Sequence, residues 1–198
     1  RLSELRPDVV FNALHGRWGE DGSIQGLLEW MRIPYTHSGV MASALAMDKH
    51  RSKHIFSNAG LPTAPGFMID KSGLLTSHPL DKPYVVKPIN EGSSIGVYFV
   101  NPKEDPPLKV ASDMPSILMV EEYIPGRELT VTVMGKKALA VTDIVTQNWY
   151  DYDAKYKKGG SVHEVPAKIP KIIQEKCLEY ALSAHELIGC RGISRADF

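Results

Sequence analysis

The chain has 198 residues, of which 43% are hydrophobic and 23% are charged, and its 23 lysines and arginines balance its 23 aspartates and glutamates. This is the composition of a globular protein of one or two domains, and a net charge of zero argues against a nucleic-acid or anionic-membrane partner. Two cysteines without zinc spacing favour a reducing cytoplasm, and no apolar run reaches the length of a membrane span.

The first predicted elements are a strand, a polar loop and a helix. Residues 8–14 are almost continuously apolar, which is typical of a strand buried on both faces. A glycine-rich loop follows at residues 15–22, and apolar spacing predicts a helix over residues 24–31. Ligands of open α/β sheets gather at the carboxyl ends of strands, so His15 stands where a ligand would bind. A lone histidine at such a place is more often hydrogen-bonded within its own loop.

A second helix is predicted over residues 43–59, after a linker at residues 32–41 that contains Pro34 and Gly39. The middle of this helix, residues 49–54, carries three basic side chains and two histidines. The ordinary interpretation of such a run is a solvated helix face.

The centre of the chain predicts a hairpin. Residues 84–86 and 96–100 are aromatic or β-branched runs of strand length, joined by a loop of glycines and serines. Lys87 ends the first strand, and Pro88 favours an extended backbone at this lysine. A fixed cation beside a Gly/Ser loop suits a phosphate, because backbone N–H groups and hydroxyls can approach the anion. The alternative is a solvated lysine, and the pattern is neither a Walker A motif nor a dinucleotide fingerprint.

The other predicted strands are short and separated by turns. They lie at residues 63–69, 117–124, 127–134 and 138–144, the last three as an antiparallel meander. The strand at 117–124 is apolar until it reaches two carboxylates, Glu121 and Glu122.

The last part of the chain predicts a long loop, a helix and a strand. Residues 147–166 are polar and aromatic, and a loop of this length is typically a lid or a binding loop. A helix is predicted from Pro170 to Gly189. In the strand at residues 193–198, Arg195 and Asp197 share one face, where a plain salt bridge is the ordinary interpretation.

Five groups of motifs occur in a fixed order along the whole chain. They are Leu14–Arg17 with Gly19–Gly22, Ser38–Ser43 with Met47–Lys49, Val86–Pro88 with Glu91–Gly96, Tyr150–Tyr156, and Ser194–Asp197. Together they resemble the ATP-grasp ligases, and within them the D-alanine–D-alanine ligase family.

The resemblance implies an α/β fold, specifically the α+β ATP-grasp fold with two lobes that hold ATP between them. Residues 1–37 would be the remainder of an N-terminal parallel α/β (pre-ATP-grasp) domain that binds substrate. Residues 38–120 would be the central lobe and 121–198 an incomplete C-terminal lobe. We expect an internal piece of a longer chain, since the family's Glu-x-Asn metal ligands would follow Phe198 and its N-terminal glutamate would precede Arg1.

The resemblance also implies a nucleotide site. Lys49, Lys87 and Lys155 would contact the phosphates, the segment 121–124 would offer backbone groups to adenine, and Glu128 would bind the ribose. The implied nucleotide-binding residues are Lys49, Lys87, Ser93, Ser94, Glu121, Glu122, Tyr123, Ile124, Glu128, Trp149 and Lys155. Asp197 would ligate Mg²⁺ or Mn²⁺.

The implied reaction phosphorylates the carboxylate of one D-alanine, and the amine of a second D-alanine then attacks the acyl phosphate, yielding D-alanyl-D-alanine for peptidoglycan synthesis. Arg195 would stabilise the tetrahedral oxyanion. His15, Ser93 and Tyr156 match the family's substrate-orienting positions. The resemblance further implies a homodimer, and the cysteine usage and neutral charge favour a cytoplasmic protein that binds neither nucleic acid nor membrane.

Two alternatives stay open. One is the same fold with D-lactate or D-serine as acceptor, against which Tyr156 favours the dipeptide. The other is a non-catalytic ATP-binding regulatory domain, which would be expected to lose Arg195, Asp197 or Lys155.

Overall fold

The chain folds as two units, each with its own four-stranded antiparallel sheet. A computed structural model describes residues 2–92, 95–146 and 161–198. The first unit comprises Arg1–Met47 with Arg127–Phe198, and the second comprises Asp48–Gly126. The domain boundaries predicted after residues 37 and 120 stay predictions.

The N-terminal segment of the first unit departs from the predicted strand at residues 8–14. It contains helices α1 (Leu2–Leu5), α2 (Ser23–Trp30) and α3 (Val40–Met47). The segment between α1 and α2 forms one β pairing with the described residues, a single parallel bridge from Val10 to Tyr35. A strand that is buried on both faces lies within a paired sheet that has helices packed on each face. Among the described residues, this segment has one bridge. Phe11 is accordingly 71% exposed.

The segment predicted as one helix over residues 43–59 forms two helices, because the helical backbone is interrupted at Asp48. Helix α4 (Lys49–Asn58) starts directly after this residue, whose carboxylate accepts a hydrogen bond from the Arg51 N–H at 2.9 Å. An aspartate at this N-cap position satisfies one of the unpaired N–H groups of the first turn. The predicted end is confirmed by Gly60, which has the left-handed φ of 79°.

The sheet of the second unit contains four strands in the order β1-β4-β2-β3. They are β1 (Gly66–Asp70), β2 (Tyr84–Pro88), β3 (Tyr98–Val100) and β4 (Ile117–Glu122), with a 3₁₀ turn at Lys71–Leu74. Antiparallel pairing of β2 with β3, with Tyr84 opposite Val100, confirms the predicted hairpin. One face of this sheet carries the core, formed by Leu74, Tyr84, Val86, Val100, Leu118 and Val120.

The sheet of the first unit has the order β7-β6-β5-β8. Its strands are β5 (Glu128–Met134), β6 (Lys137–Thr146), β7 (Ser161–Glu164) and β8 (Ile193–Asp197), with helix α5 (Lys171–Ile188) between the last two. Strand β7 lies inside the loop predicted at 147–166, because residues 161–164 pair with the end of β6. Gly135 forms the β5–β6 turn with a φ of 61°.

Helix α5 covers the sheet of the first unit. Cys177 and Ala181 on this helix are buried against Leu129, Val131 and Val141 of the sheet. The helix begins one residue later than predicted, with Pro170 as its N-cap, and ends at Gly189 with a left-handed φ of 76°. No helix in the described part of the chain has the length and hydropathy that a bilayer crossing requires.

Candidate functional site

The alternation of β2 and β4 separates apolar from charged side chains. Val86 and Val120 point into the core, so Lys87 and Glu121 project from the opposite face of the sheet. Val85 of β2 lies opposite Glu121 of β4, so Lys87, two residues after Val85, is the diagonal neighbour of Glu121. Side chains of this length reach each other along such a diagonal.

Glu121 is the centre of a polar cluster on that face. Its carboxylate pairs with Lys87 through one oxygen and with Lys53 of α4 through the other. Its side chain is 9% exposed. Burial alone would raise the pKa of Glu121, but the charges and hydrogen bonds of Lys87 and Lys53 outweigh burial and lower it. Glu121 is therefore an ionised carboxylate between two ammonium groups.

Lys49 lies one helical turn before Lys53 on α4 and also faces the sheet. Its ammonium donates to the carbonyl of Ile89 at 3.4 Å and to the carbonyl of Glu91. Burial, reinforced by the positive charge of Lys87, lowers the pKa of Lys49 to about 8. A lysine whose charged form is disfavoured in this way gains most from a bound anion.

The cluster of Lys49, Lys53, Lys87 and Glu121, here called the lysine cluster, has three positive charges and one negative charge. It lies at the end of β2, next to the Gly92 end of the hairpin loop. A net positive, partly desolvated group of ammonium ions suits a polyphosphate. The structure thus brings together two predicted phosphate-binding residues, Lys49 and Lys87.

The segment after the cluster is the one predicted to bind adenine. Glu122 pairs with Lys82 at 2.6 Å, and the Tyr123 N–H donates to the carbonyl of Pro83 at 3.0 Å. The Tyr123 ring meets Phe99 edge-on with centroids 4.9 Å apart. Ile124 is 60% exposed, and its N–H forms no hydrogen bond within the described residues. Of the backbone donors from 122 to 124, this N–H is the one open to a ligand.

The predicted pair Arg195 and Asp197 lies on β8 of the first unit. Two guanidinium nitrogens of Arg195 donate to the two oxygens of Asp197 at 2.9 and 3.0 Å. The hydroxyl of the buried Thr130, on the neighbouring strand, donates to the same carboxylate at 2.8 Å. Both predicted positions on one face are confirmed, and the pair is the salt bridge that the sequence also allowed.

Asp197 fits a magnesium ion as one ligand. Mg²⁺ in phosphoryl-transfer sites commonly uses one or two carboxylates together with phosphate oxygens and waters. Asp197 is an oriented, 52% exposed carboxylate. The described residues contain no group of three or more His, Cys, Asp or Glu side chains that could hold a metal, so Asp197 would depend on oxygens from elsewhere.

His15 lies on an exposed turn of the first unit. Here the Gly16 N–H donates to the Glu20 carboxylate at 2.5 Å, and the Trp18 N–H donates to Asp21 at 2.9 Å. These bonds fix the backbone of the loop, and His15 itself is exposed. No described contact joins His15 to Arg195 or Asp197.

Six further predicted positions remain. Glu128 is exposed at the first position of β5, where its residue pairs with Ile144 of β6. The others lie outside the described residues: Ser93, Ser94, Trp149, Lys155 and Tyr156. Their roles stay predictions.

Sequence reasoning missed Lys53 and Thr130. Lys53 follows Lys49 by four residues, which places both on one side of a helix, so the spacing could have revealed it. The basic run was interpreted as solvated, yet Lys53 is 19% exposed while Arg51 is 72% exposed. Thr130 carried no pattern of its own, because its contact to Asp197 depends on the pairing of β5 with β8.

Two family models match the chain. Residues 2–38 match the model described as "D-ala D-ala ligase N-terminus", and residues 55–198 match "D-ala D-ala ligase C-terminus". The chain is 64% identical over 196 residues to the D-alanine–D-alanine ligase of Cereibacter sphaeroides, covering 99% of this chain and 64% of that protein. It is 61% identical to that of Ruegeria pomeroyi, covering all of this chain and 65% of that protein.

Solved structures agree with these matches. A D-alanine–D-alanine ligase from Bacillus anthracis complexed with ATP superposes with a TM-score of 0.75 at 27% identity, covering 98% of this chain and 64% of that one. The chain thus spans a little under two thirds of the curated relatives it matches. The expected ATP-grasp fold is confirmed by these neighbours. The chain belongs to the D-alanine–D-alanine ligase family.

Proposed function

We propose that the protein uses ATP to join two molecules of D-alanine into D-alanyl-D-alanine, with formation of ADP and phosphate. The observation that supports this most directly is the lysine cluster, in which Lys49 of α4 lies close enough to Lys87 of β2 for the charge of Lys87 to lower its pKa, in a chain of this family. The three lysines and one glutamate have a net positive charge, which the negative charge of a polyphosphate substrate would balance.

Two lobes, residues 38–120 and 121–198, bind the nucleotide, and residues 1–37 belong to a substrate-binding domain. Lys49 and Lys87 hold the phosphates with Lys155 and the hydroxyls of Ser93 and Ser94. The Ile124 N–H, within the segment of Glu121, Glu122 and Tyr123, binds the adenine. Trp149 flanks the base, and Glu128 accepts the ribose hydroxyls.

The chemistry has two steps. A carboxylate oxygen of the first D-alanine forms a bond to the γ-phosphorus, and the bond from phosphorus to the β,γ-bridging oxygen breaks. The amine of the second D-alanine then attacks the acyl carbon, phosphate leaves, and the amine loses a proton. Catalysis of such steps is mainly positioning and charge stabilisation.

The remaining residues are assigned to the oxyanion, the metal ion and the two substrates. Arg195 stabilises the oxyanion of the tetrahedral intermediate, since preorganised donors act most strongly where charge develops. Asp197 would hold a Mg²⁺ or Mn²⁺ ion, which would supply charge neutralisation for the phosphates. His15, Ser93 and Tyr156 orient the two substrates. The proposal further includes a cytoplasmic homodimer that binds neither nucleic acid nor membrane.

The test is product analysis by mass spectrometry with the full-length protein, ATP and Mg²⁺. D-Alanine alone should give D-alanyl-D-alanine with one ADP and one phosphate per dipeptide, and L-alanine should give none. With D-alanine and D-lactate together, the dipeptide should remain the main product. A D-alanyl-D-lactate ester as main product would overturn the acceptor, and ATP binding without any ligation would overturn the reaction.

A matched pair of variants links the product to the lysine cluster. Lys87→Ala should abolish dipeptide formation, since it removes a phosphate-binding cation. Lys82→Ala removes the same charge from an exposed lysine nearby on the chain, which is paired with Glu122, and should leave the rate close to wild type. Equal rates in the two variants would contradict the assignment of Lys87.

A further inference from the structure

Glu121 is a buried carboxylate with two cationic partners, of which the proposed nucleotide site accounts for one. Lys87 reaches it from the adjacent strand, and Lys53 reaches it from α4, 68 residues away in sequence. Lys53 also donates to the carbonyl of Ala64. Two acceptors thus hold the Lys53 ammonium, and its side chain is 19% exposed.

The charges explain why one lysine would be insufficient. If Lys87 were the only partner of Glu121, the pair would have no net charge. The negative carboxylate of Glu121 would then repel an approaching phosphate as strongly as Lys87 attracts it at equal distance. Solvent screens this repulsion weakly, because the Glu121 side chain is 9% exposed. A second ammonium on the other carboxylate oxygen returns the group of Glu121, Lys53 and Lys87 to a net positive charge.

Lys53 is also placed to act together with Lys49. The two lysines are one helical turn apart on α4, whose first turn is capped by Asp48. Lys49 is oriented by the carbonyls of Ile89 and Glu91, and Lys53 by Glu121 and Ala64. One helix therefore supplies a phosphate-facing cation and a cation directed at the carboxylate.

We propose that Lys53 is a positioning residue for the nucleotide: it offsets the charge of Glu121, so that the Lys87 ammonium remains available to the phosphates of ATP. This inference rests on the proposed function and extends it to a residue that does not itself touch the nucleotide. A purely structural role, in which Lys53 only ties α4 to the sheet, predicts different results in a double-mutant cycle.

The experiment measures ATP affinity by calorimetry, and KM and kcat by dipeptide formation, for the full-length protein. The variants are Lys53→Met, Glu121→Gln and the double variant. Lys53→Met should weaken ATP binding about tenfold or more. The factor by which KM for ATP rises should exceed the factor by which kcat falls. Adding Glu121→Gln should restore at least about threefold of that affinity, because the uncompensated negative charge is gone.

Two further variants separate charge from structure. Lys53→Arg keeps the charge and should stay within about threefold of wild type. Arg51→Met removes an equal charge from the exposed side of the same helix and should leave ATP affinity unchanged. Adenosine affinity should be the same in wild type and Lys53→Met, since the effect acts on the phosphates. If Lys53→Met does not fold, Lys53→Gln replaces it, because the amide can still donate to the Ala64 carbonyl.

The outcomes decide between the possibilities. ATP affinity of Lys53→Met equal to wild type overturns the inference while the proposed function stands. A double variant that binds ATP no better than Lys53→Met shows a structural role and also overturns it. Wild-type protein that binds no ATP overturns the proposed function, and the inference with it.

Discussion

The two sheets have the same size and the same antiparallel pairing, yet they carry their charged residues differently. In the second unit Lys87 and Glu121 are 23% and 9% exposed, and their partners come from another strand and a helix. In the first unit Arg195 and Asp197 are 59% and 52% exposed and lie two residues apart on one strand. Removing one partner from a buried network is strongly destabilising, because it leaves an uncompensated buried charge, whereas an exposed pair can exchange partners at little cost.

From this difference we expect different tasks for the two units. The lysine cluster is held in place by the fold, which suits the proposed binding of the ATP phosphates. The Arg195–Asp197 pair is accessible to solvent, so that an incoming anion or cation can replace either partner without a large desolvation cost. Stability and function should therefore respond together in the second unit and separately in the first.

The largest effect is expected from Glu121→Ala. Removing the carboxylate leaves Lys53 and Lys87 partly buried without an anion, and the free energy of unfolding should fall by about 3 kcal/mol, the lower end of the range for broken buried pairs because both lysines keep some exposure. Urea denaturation at neutral pH measures it. Glu122→Ala, which removes the neighbouring carboxylate and its pair with the exposed Lys82, should cost less than about 1 kcal/mol.

The same variant has a defined pH dependence. Burial alone would raise the pKa of Glu121, but Lys87 and Lys53 lower it below its ordinary value of 4.5. The stability from this carboxylate is therefore present above pH 4.5 and lost as the pH falls through the lowered pKa. The difference in the free energy of unfolding between wild type and Glu121→Ala should therefore become smaller in acid. A difference that does not change with pH would contradict the assigned ionisation of Glu121.

The second effect concerns the backbone beside Glu121. A Cβ added at Gly66 would lie 2.6 Å from the Val120 carbonyl oxygen and 2.8 Å from Cγ of Glu121. Gly66→Ala should therefore push β1 from β4 and cost about 1–3 kcal/mol, measured by urea denaturation. Gly126→Ala is the control, because no atom lies within 4 Å of its added Cβ. Equal costs for the two substitutions would show that this close approach is unimportant.

The third effect is the pH dependence of nucleotide binding. Burial and the charge of Lys87 lower the pKa of Lys49 to about 8, so its ammonium is lost as the pH rises through that value. ATP affinity should fall above about pH 8, by up to about tenfold per pH unit. Lys49→Arg keeps its charge and should remove this fall. Calorimetry across this range checks it, and an identical fall in the arginine variant would assign the titration to another group.

The smallest effect on stability is expected in the first unit. Arg195→Met breaks an exposed pair and should change the free energy of unfolding by less than about 1 kcal/mol. Dipeptide formation should nevertheless fall by about 10²–10³, the usual loss for one oxyanion donor. Thermal melting and a rate assay on the same preparation measure both. A large loss of stability with normal activity would reverse the comparison between the two units.

The sequence predicted what depends on neighbouring residues. Arg195 and Asp197 share a strand face because they are two positions apart, and the hairpin at Lys87 follows from two short apolar runs around a glycine loop. Both are confirmed. The family was also recognised from motifs, since the matching segments are continuous in the chain.

What the sequence did not predict depends on register and on partners distant in the chain. The Lys87–Glu121 ion pair requires β2 to lie beside β4 in one register. The four-residue spacing places Lys53 on the same side of α4 as Lys49, but it does not show that this side faces Glu121. The break at Asp48 was missed because no glycine or proline stands beside this residue. Three of the four residues at 161–164 are polar, and the segment forms a strand through its pairing with β6.

The most direct test of the lysine cluster as a polyphosphate site compares ATP with adenosine as ligands of the full-length protein. Calorimetry would be run on wild type, Lys87→Gln and the charge-matched control Lys82→Gln. We expect wild type and Lys82→Gln to bind ATP far more tightly than adenosine, and Lys87→Gln to lose most of that preference while its adenosine affinity stays the same. Equal preference for ATP in all three proteins would contradict the central role of Lys87 in binding the phosphates.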